Sequence, residues 1–280
     1  MRKIKHFVGD TFLFHEKVLQ CKKKGEVKTV VKDLSDDIRA SFSQYDARFS
    51  DDTLEELEAM PVSEEQKDAL IALYSFRMKP FQELFITLTT DENNRISKLC
   101  PNCTVGVVES LDHCLPKTEF PEYSDNPLNL MPCCMHCNGK KTSIWRKDGK
   151  RIFLNLFLDE LPKVRYLFIT TNIICEIPVF IFAVDNRNRI DEDLFSKIES
   201  HYKTLDLCKR FSENSDAVVD DLALQFKSLS KVGINDLQIK QAFVSMAKDW
   251  QNKFGYNYWK SILIFECCSN DEAFKFITKT

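Results

Sequence analysis

The sequence predicts an α+β protein that is mostly helical, and three observations predict it. Apolar residues recur at steps of three and four in both the first third and the last third of the chain. Short β-branched and aromatic runs are confined to the middle. Glycines number only 7 in 280 residues, which leans towards helix. With 44 % hydrophobic residues the chain is globular rather than disordered. Its length suits one large or two modest domains. Three regions are expected: a helical N-terminal region over 1–90, a cysteine-rich core over 91–151, and a β meander with helices over 152–280.

The N-terminal elements follow from periodicity and caps. Val27, Val30, Val31, Leu34, Ile38, Phe42 and Tyr45 fall on one helical face. Lys22 to Gly25 before them reads as an exposed turn. Asp52-Thr-Leu-Glu55 has capping-box spacing and predicts a short helix. Ser63, with Gln66 three residues on, starts another with Ala69, Leu70, Leu73 and Tyr74 inward. Pro80 suits the first turn of the next, since its missing N–H is unneeded there.

In the middle, Val105 to Leu111 predicts a strand and Leu128 to Leu130 the opening of a second, with a helix starting at Cys134. Further on, 152–158, 164–171 and 177–184 read as strands of an antiparallel meander. Helices resume from Asp191, marked by Leu194/Ile198/Tyr202/Leu205, by Val218/Leu222/Phe226/Leu229, and by Ile239/Phe243/Met246/Trp250/Phe254, with a last one over Tyr258 to Cys268. Trp250, Tyr258 and Trp259 are expected in the core.

No apolar leader opens the chain. The most apolar region, Val164 to Val184, is broken by Arg165, Asn172, Glu176 and Pro178, so no membrane helix is expected. A reducing cytoplasm follows as the expected setting, and the 11 cysteines are expected to be metal ligands or buried thiols rather than disulfides. A net charge of −3 points to no global polyanion affinity, so any such surface must be local.

The chemistry concentrates between Cys100 and Lys141. Cys100/Cys103 and Cys134/Cys137 are two Cys-x-x-Cys turns separated by 30 residues. Such a turn brings two thiolates to one ion, and two turns complete the tetrahedral set that zinc requires. A redox dithiol, or two unrelated turns, are the competing readings. Cys133 is a rival ligand, but its spacing to Cys137 fits less well than that of Cys134. Cys114, Cys175, Cys208, Cys267 and Cys268 read as small buried hydrophobes.

Inside this frame lie Asp112, His113, Asn129 and Asn138. Their types suit phosphodiester hydrolysis. Asp112 and Asn138 offer hard oxygen ligands to Mg²⁺ or Mn²⁺. His113 titrates near neutrality and can deprotonate water. Asn129 can hold the histidine or its loop. His136 is expected to face outward, and Glu109, Glu119 and Glu122 are left out of the site as solvated. Between Asn138 and Arg151, six basic residues face one acidic residue, a net +5. Lys140, Lys141, Arg146 and Lys147 are the candidate phosphate contacts, of a kind that is salt-dependent and sequence-independent.

Asp112-His113-Cys-Leu-Pro-Lys, Pro127-Leu-Asn129-Leu and Cys134-Met-His-Cys137-Asn138-Gly-Lys-Lys together resemble the HNH, or ββα-metal, nuclease family over roughly residues 95 to 150. The resemblance implies His113 as general base, Asp112 and Asn138 as ligands of a catalytic Mg²⁺ or Mn²⁺, Asn129 as orienting residue, and the four cysteines as a structural Zn²⁺ site. Asn138 stands where the family often has histidine. The flanking layout is similar to HNH subunits of bacterial anti-phage systems of the Septu type, which implies an ABC-type ATPase as protein partner. The expected activity is hydrolysis of DNA. The alternatives are RNA, especially tRNA, as substrate with the same site, and a zinc-stapled binding module whose nuclease site is vestigial.

Overall fold

The structure, a computed structural model, describes residues 1–279. It is mostly helical with three small antiparallel sheets of two strands each. The chain forms two compact units, one over Lys3–Asp159 and one made of the C-terminal part from Glu160 with Met1–Arg2. Among the described residues no helix is long and apolar enough to cross a membrane.

In the first unit, α1 (Thr11–Cys21) opens where the Asp10 side chain accepts from the Leu13 N–H at 2.8 Å. Sequence periodicity did not mark this helix. The apolar face expected to run from Val27 to Tyr45 is divided between α2 (Glu26–Asp33) and α3 (Ser35–Ser50), which meet at Leu34 in a bridge-region conformation. Periodicity carries across the junction, so the break leaves no trace in the pattern. Ile38, Phe42, Tyr45 and Phe49 bury the inner face of α3. The capping box expected at Asp52 does not form; a single 3₁₀ turn follows at Leu54–Glu56 with no side-chain cap. The box expected at Ser63 does form, and α4 (Glu64–Ile71) follows it. Pro80 lies in the first turn of α5 (Lys79–Thr89), which buries Phe81, Leu84, Phe85 and Leu88.

The central elements are β1 (Ser110–His113), β2 (Leu130–Cys133) and α6 (Met135–Lys141). β1 and β2 pair antiparallel with Asp112 opposite Met131 and His113 opposite Leu130. The first strand is shorter than the expected run from Val105, because Leu99 and Val107 bridge each other and close the cysteine turn instead. A tight hairpin, β3 (Arg146–Lys147) and β4 (Lys150–Arg151), completes the sheets of this unit. Residues 152–158, expected as a strand, form a buried irregular segment. A short apolar run is consistent with any buried backbone; here Asn155 and Asp159 bond each other and the local chain, with the Asn155 N–H donating to Asp159 Oδ2 at 2.7 Å.

In the second unit the expected meander reduces to one hairpin, β5 (Leu167–Ile174) and β6 (Ile177–Val184). Its two-residue loop, Cys175-Glu176, has positive φ at both positions, as a type I′ turn requires. That turn leaves Cys175 exposed, contrary to the buried thiol expected there. Phe180 and Phe182 face inward on alternate positions. The helices are α7 (Glu192–Thr204), α8 (Leu207–Glu213), α9 (Ser215–Lys231), α10 (Asp236–Phe254), α11 (Trp259–Ser269) and α12 (Asp271–Lys279). Trp259 and Phe211 stack with centroids 5.4 Å apart, and Tyr258 is also buried. Trp250 is half-buried against the Tyr258 ring.

The loop between β1 and β2 positions the site. Every residue from Phe120 to Cys134 is buried, so its backbone groups need partners inside the protein. Side chains supply several of them. Asn126 Oδ1 accepts from the Leu128 N–H at 2.9 Å. Asp125 pairs with His15 on α1 at 2.9 Å. Glu122, read from sequence as solvated, is 1 % exposed and accepts from the Met60 N–H at 2.8 Å, with its second oxygen unpartnered. Burial pushes the Glu122 carboxyl up to about 7, against the Met60 hydrogen bond. Its folded pKa lies above the unfolded value, so this contribution to stability is present below about pH 4.5 and is lost as pH rises towards 7. Glu122→Gln should therefore gain stability relative to wild type at pH 8, by about 3 kcal/mol, and lose that advantage at pH 4.5. Urea denaturation at the two pH values measures this; a difference that does not change with pH contradicts it.

Candidate active site

The four cysteines converge. Cys100, Cys103, Cys134 and Cys137 are all buried, and their sulfurs lie within 4.8 Å of one another, a cluster able to hold a metal ion and compatible with zinc. Two turns build it. After Cys103 the chain bends through Thr104, at φ 52°, and the Val105 and Gly106 N–H groups donate to Cys103 Sγ at 3.5 and 3.4 Å. On the other side, Cys134 is the N-cap of α6 and its N–H donates to Cys100 Sγ at 3.4 Å. Backbone donors aimed at sulfur favour the thiolate, the form that ligates metal. Hydrogen bonds from Cys103, Cys133, Cys134 and Cys137 hold Cys100 far below the usual thiol range. Cys133, although adjacent, stands outside the four and accepts from Asn102 Nδ2 at 3.4 Å.

The clamp fixes the start of α6 beside β1. Ser110 and Asp112, two residues apart on one face of the strand, meet that helix. Asn138 Nδ2 donates to Ser110 Oγ at 3.1 Å, which leaves the amide oxygen as its ligand atom. One helical turn on, the Lys141 ammonium lies 3.3 Å from Asp112 Oδ2 and donates to the His113 carbonyl at 2.5 Å. Burial raises the Asp112 carboxyl above its ordinary range, with Lys141 pulling it down.

His113 points to the opposite face. Its Nε2 lies 2.9 Å from the Ser124 carbonyl. A carbonyl can only accept, so Nε2 carries the proton and Nδ1 keeps its lone pair. The ring packs edge-on against Tyr74 with centroids 4.7 Å apart. The Tyr74 hydroxyl donates to the Leu111 carbonyl at 2.6 Å and anchors the segment just after α4 to β1. Burial lowers His113 to about 3, the Ser124 hydrogen bond opposing the shift and Lys117 and Lys141 adding to it. The imidazole is neutral at physiological pH.

Asn129 holds the loop that carries Ser124. Its Oδ1 accepts from the Leu115 N–H at 2.7 Å and the Tyr45 hydroxyl at 3.2 Å. Its Nδ2 donates to the carbonyls of Leu115 at 3.0 Å and Tyr123 at 3.1 Å. All four hydrogen-bonding positions of the amide are thus in use.

The proposed phosphate contacts fare differently from one another. Lys140 and Lys147 are exposed. Lys141 is buried at 9 % exposure and faces Asp112, so it is not a surface contact. Arg146 donates to Glu119 Oε1 at 2.5 Å, and Trp145 to Glu119 Oε2 at 2.8 Å, so Glu119 is not solvated as expected. Arg151 is buried among Asp52, Glu55 and Asp159 at 2.6 to 3.3 Å. Three of the six basic residues, Lys141, Arg146 and Arg151, are therefore paired with acids that include ones distant in sequence. Sequence reasoning missed Ser124, which acts through its backbone, and Tyr45, Tyr74 and Ser110, whose roles depend on tertiary proximity.

No protein-family model matches the chain, and no solved structure does. It is similar to protein ea31 of Escherichia phage lambda, at 25 % identity over 189 residues, which is 62 % of this chain and 62 % of that protein. The chain thus spans less than two thirds of the length of the relative it matches.

If the cluster is a folding clamp, its metal affinity is folding energy, on the order of 10 kcal/mol for structural zinc. The purified protein should carry about one zinc ion per chain by elemental mass spectrometry. Cys137→Ser should lose the ion and melt at a markedly lower temperature, and chelation of the wild type should do the same. Identical melting with and without metal would show that the cluster is not a clamp.

Proposed function

We propose that this chain is a metal-dependent endonuclease of the HNH, or ββα-metal, class that hydrolyses DNA phosphodiesters as the effector of an anti-phage defence complex. One observation carries the reading: a neutral histidine, its Nε2 tied to the Ser124 carbonyl, follows a buried aspartate on a strand that a four-cysteine cluster pins to a short helix. The donor chemistry fits a hard divalent cation, with a carboxylate at Asp112 and an amide oxygen at Asn138.

In this reading His113 takes the proton of the attacking water on Nδ1, and Ser124 keeps that nitrogen aimed by holding the other. A base lowered to about 3 is weak in the free protein; the negative charge of a bound phosphate beside it would raise its basicity. Asn129 orients without touching substrate. Mg²⁺ or Mn²⁺, when bound by Asp112 and Asn138, would neutralise charge building on the phosphate and the leaving oxygen. Lys140 and Lys147 remain suited to contact the backbone of the nucleic acid. The second unit is the part suited to dock a protein partner such as an ABC-type ATPase: Ile174, Ile177, Val179 and Ile181 of its hairpin are exposed. Free thiols on both units suit a reducing cytoplasm.

The burial of His113 and Asp112, at 8 % and 9 % exposure, favours one rival reading, a zinc-stapled binding module that has kept the scaffold and lost catalysis. Nicking of supercoiled plasmid with Mg²⁺ or Mn²⁺, alone and with the partner ATPase, separates them. Nicking is expected for the wild type, with a loss of at least 10²-fold in His113→Ala. Metal-independent nicking, or nicking that survives the substitution, refutes the assignment, and cleavage of total RNA in place of plasmid reassigns the substrate.

A further inference from the structure

Lys141 is the cation this site already owns. Its ammonium sits 3.3 Å from Asp112 Oδ2, is held by the His113 carbonyl at 2.5 Å, and lies over the Phe153 ring at 5.9 Å from its centroid. A buried carboxylate without a counter-charge is strongly disfavoured, and Lys141 is the basic group hydrogen-bonded beside Asp112. Lys141 occupies the last turn of α6, three residues after Asn138, so helix geometry places it on the same face as the other proposed ligand. Two cations on one carboxylate repel each other. We infer that Lys141 is a built-in counter-ion that competes with the divalent cation for Asp112, keeping the site folded without metal and setting a threshold for metal entry. The inference rests on the proposed metal-dependent reading. It turns a residue read from sequence as a phosphate contact into a determinant of metal affinity.

The test is Mn²⁺ titration of the zinc-loaded chain by calorimetry, with zinc content checked before and after. Wild type is compared with Lys141→Met and with Lys141→Gln, which removes the charge yet keeps a hydrogen-bond donor for the His113 carbonyl. Asp112→Asn locates the bound ion. Both Lys141 variants are expected to bind Mn²⁺ at least about tenfold more tightly than wild type, and Asp112→Asn to abolish binding in each background. Melting gives an independent readout: Lys141→Met should melt below wild type without Mn²⁺ and recover when it is added. Equal or weaker Mn²⁺ affinity in the Lys141 variants, with Asp112→Asn still abolishing binding, overturns the competition and leaves the metal site standing. Absence of Mn²⁺ binding in every variant overturns both.

Discussion

The site depends on one side-chain amide. Asn129 lies wholly inside the protein and satisfies two N–H or O–H donors and two carbonyls at once. Its partners at Leu115 and Tyr123 are the two ends of the loop between β1 and the segment leading into β2. With both ends held, Ser124 comes to rest against His113 and fixes which ring nitrogen is protonated. A buried loop of this length has no ladder to absorb its peptide groups. The polar residues Asn126, Asn129, Glu122 and Asp125 therefore take over work that a sheet would otherwise perform. Tyr45, on α3, reaches the same amide, so the helical part of this unit contributes to the site directly.

The second constraint is electrostatic. Asp112, Lys141, Arg151, Asp159 and Glu122 are charged residue types in buried positions. Four of them are compensated: Asp112 pairs with Lys141, and Arg151 bonds Asp159 together with Asp52 and Glu55. The exception is Glu122, which keeps one oxygen unpartnered and responds by shifting its titration upwards. Compensation ties down Lys141, Arg146 and Arg151, half of the six basic residues between Asn138 and Arg151. Asp52, Glu55 and Glu119 absorb arginines that the linear charge count left open. Lys140, in the last turn of α6, and Lys147 and Lys150, in the β3–β4 hairpin, are exposed.

How far the sequence reaches follows from the range of each interaction. The cysteine cluster was legible because Cys-x-x-Cys spacing is itself local ligand geometry, and two such turns are specific. The helical majority was legible from periodicity, as was the cap at Ser63, where donor and acceptor lie three residues apart. Illegible were features made by distant partners: the fate of Arg146 and Arg151, the burial of Glu122, and the anchoring of β1 by Tyr74. The segment 152–158 looked like a strand because a buried irregular run and a buried strand have the same composition. The division between α2 and α3 at Leu34 was hidden because both helices share one apolar phase. Asp112, His113, Asn129 and Asn138 were picked out by residue type. Contacts brought Lys141 to Asp112 and Asn138 to Ser110, a pairing that spacing alone does not reveal.

The central claim is that the loop holds His113 as a neutral imidazole with a proton on Nε2 and a lone pair on Nδ1. Long-range ¹H–¹⁵N correlation spectra of the uniformly labelled protein read this directly. The expected result is an Nε2–H tautomer whose nitrogen shifts do not move between pH 8 and pH 5. An Nδ1–H tautomer, or a ring that titrates near its ordinary value of about 6.5, would contradict it.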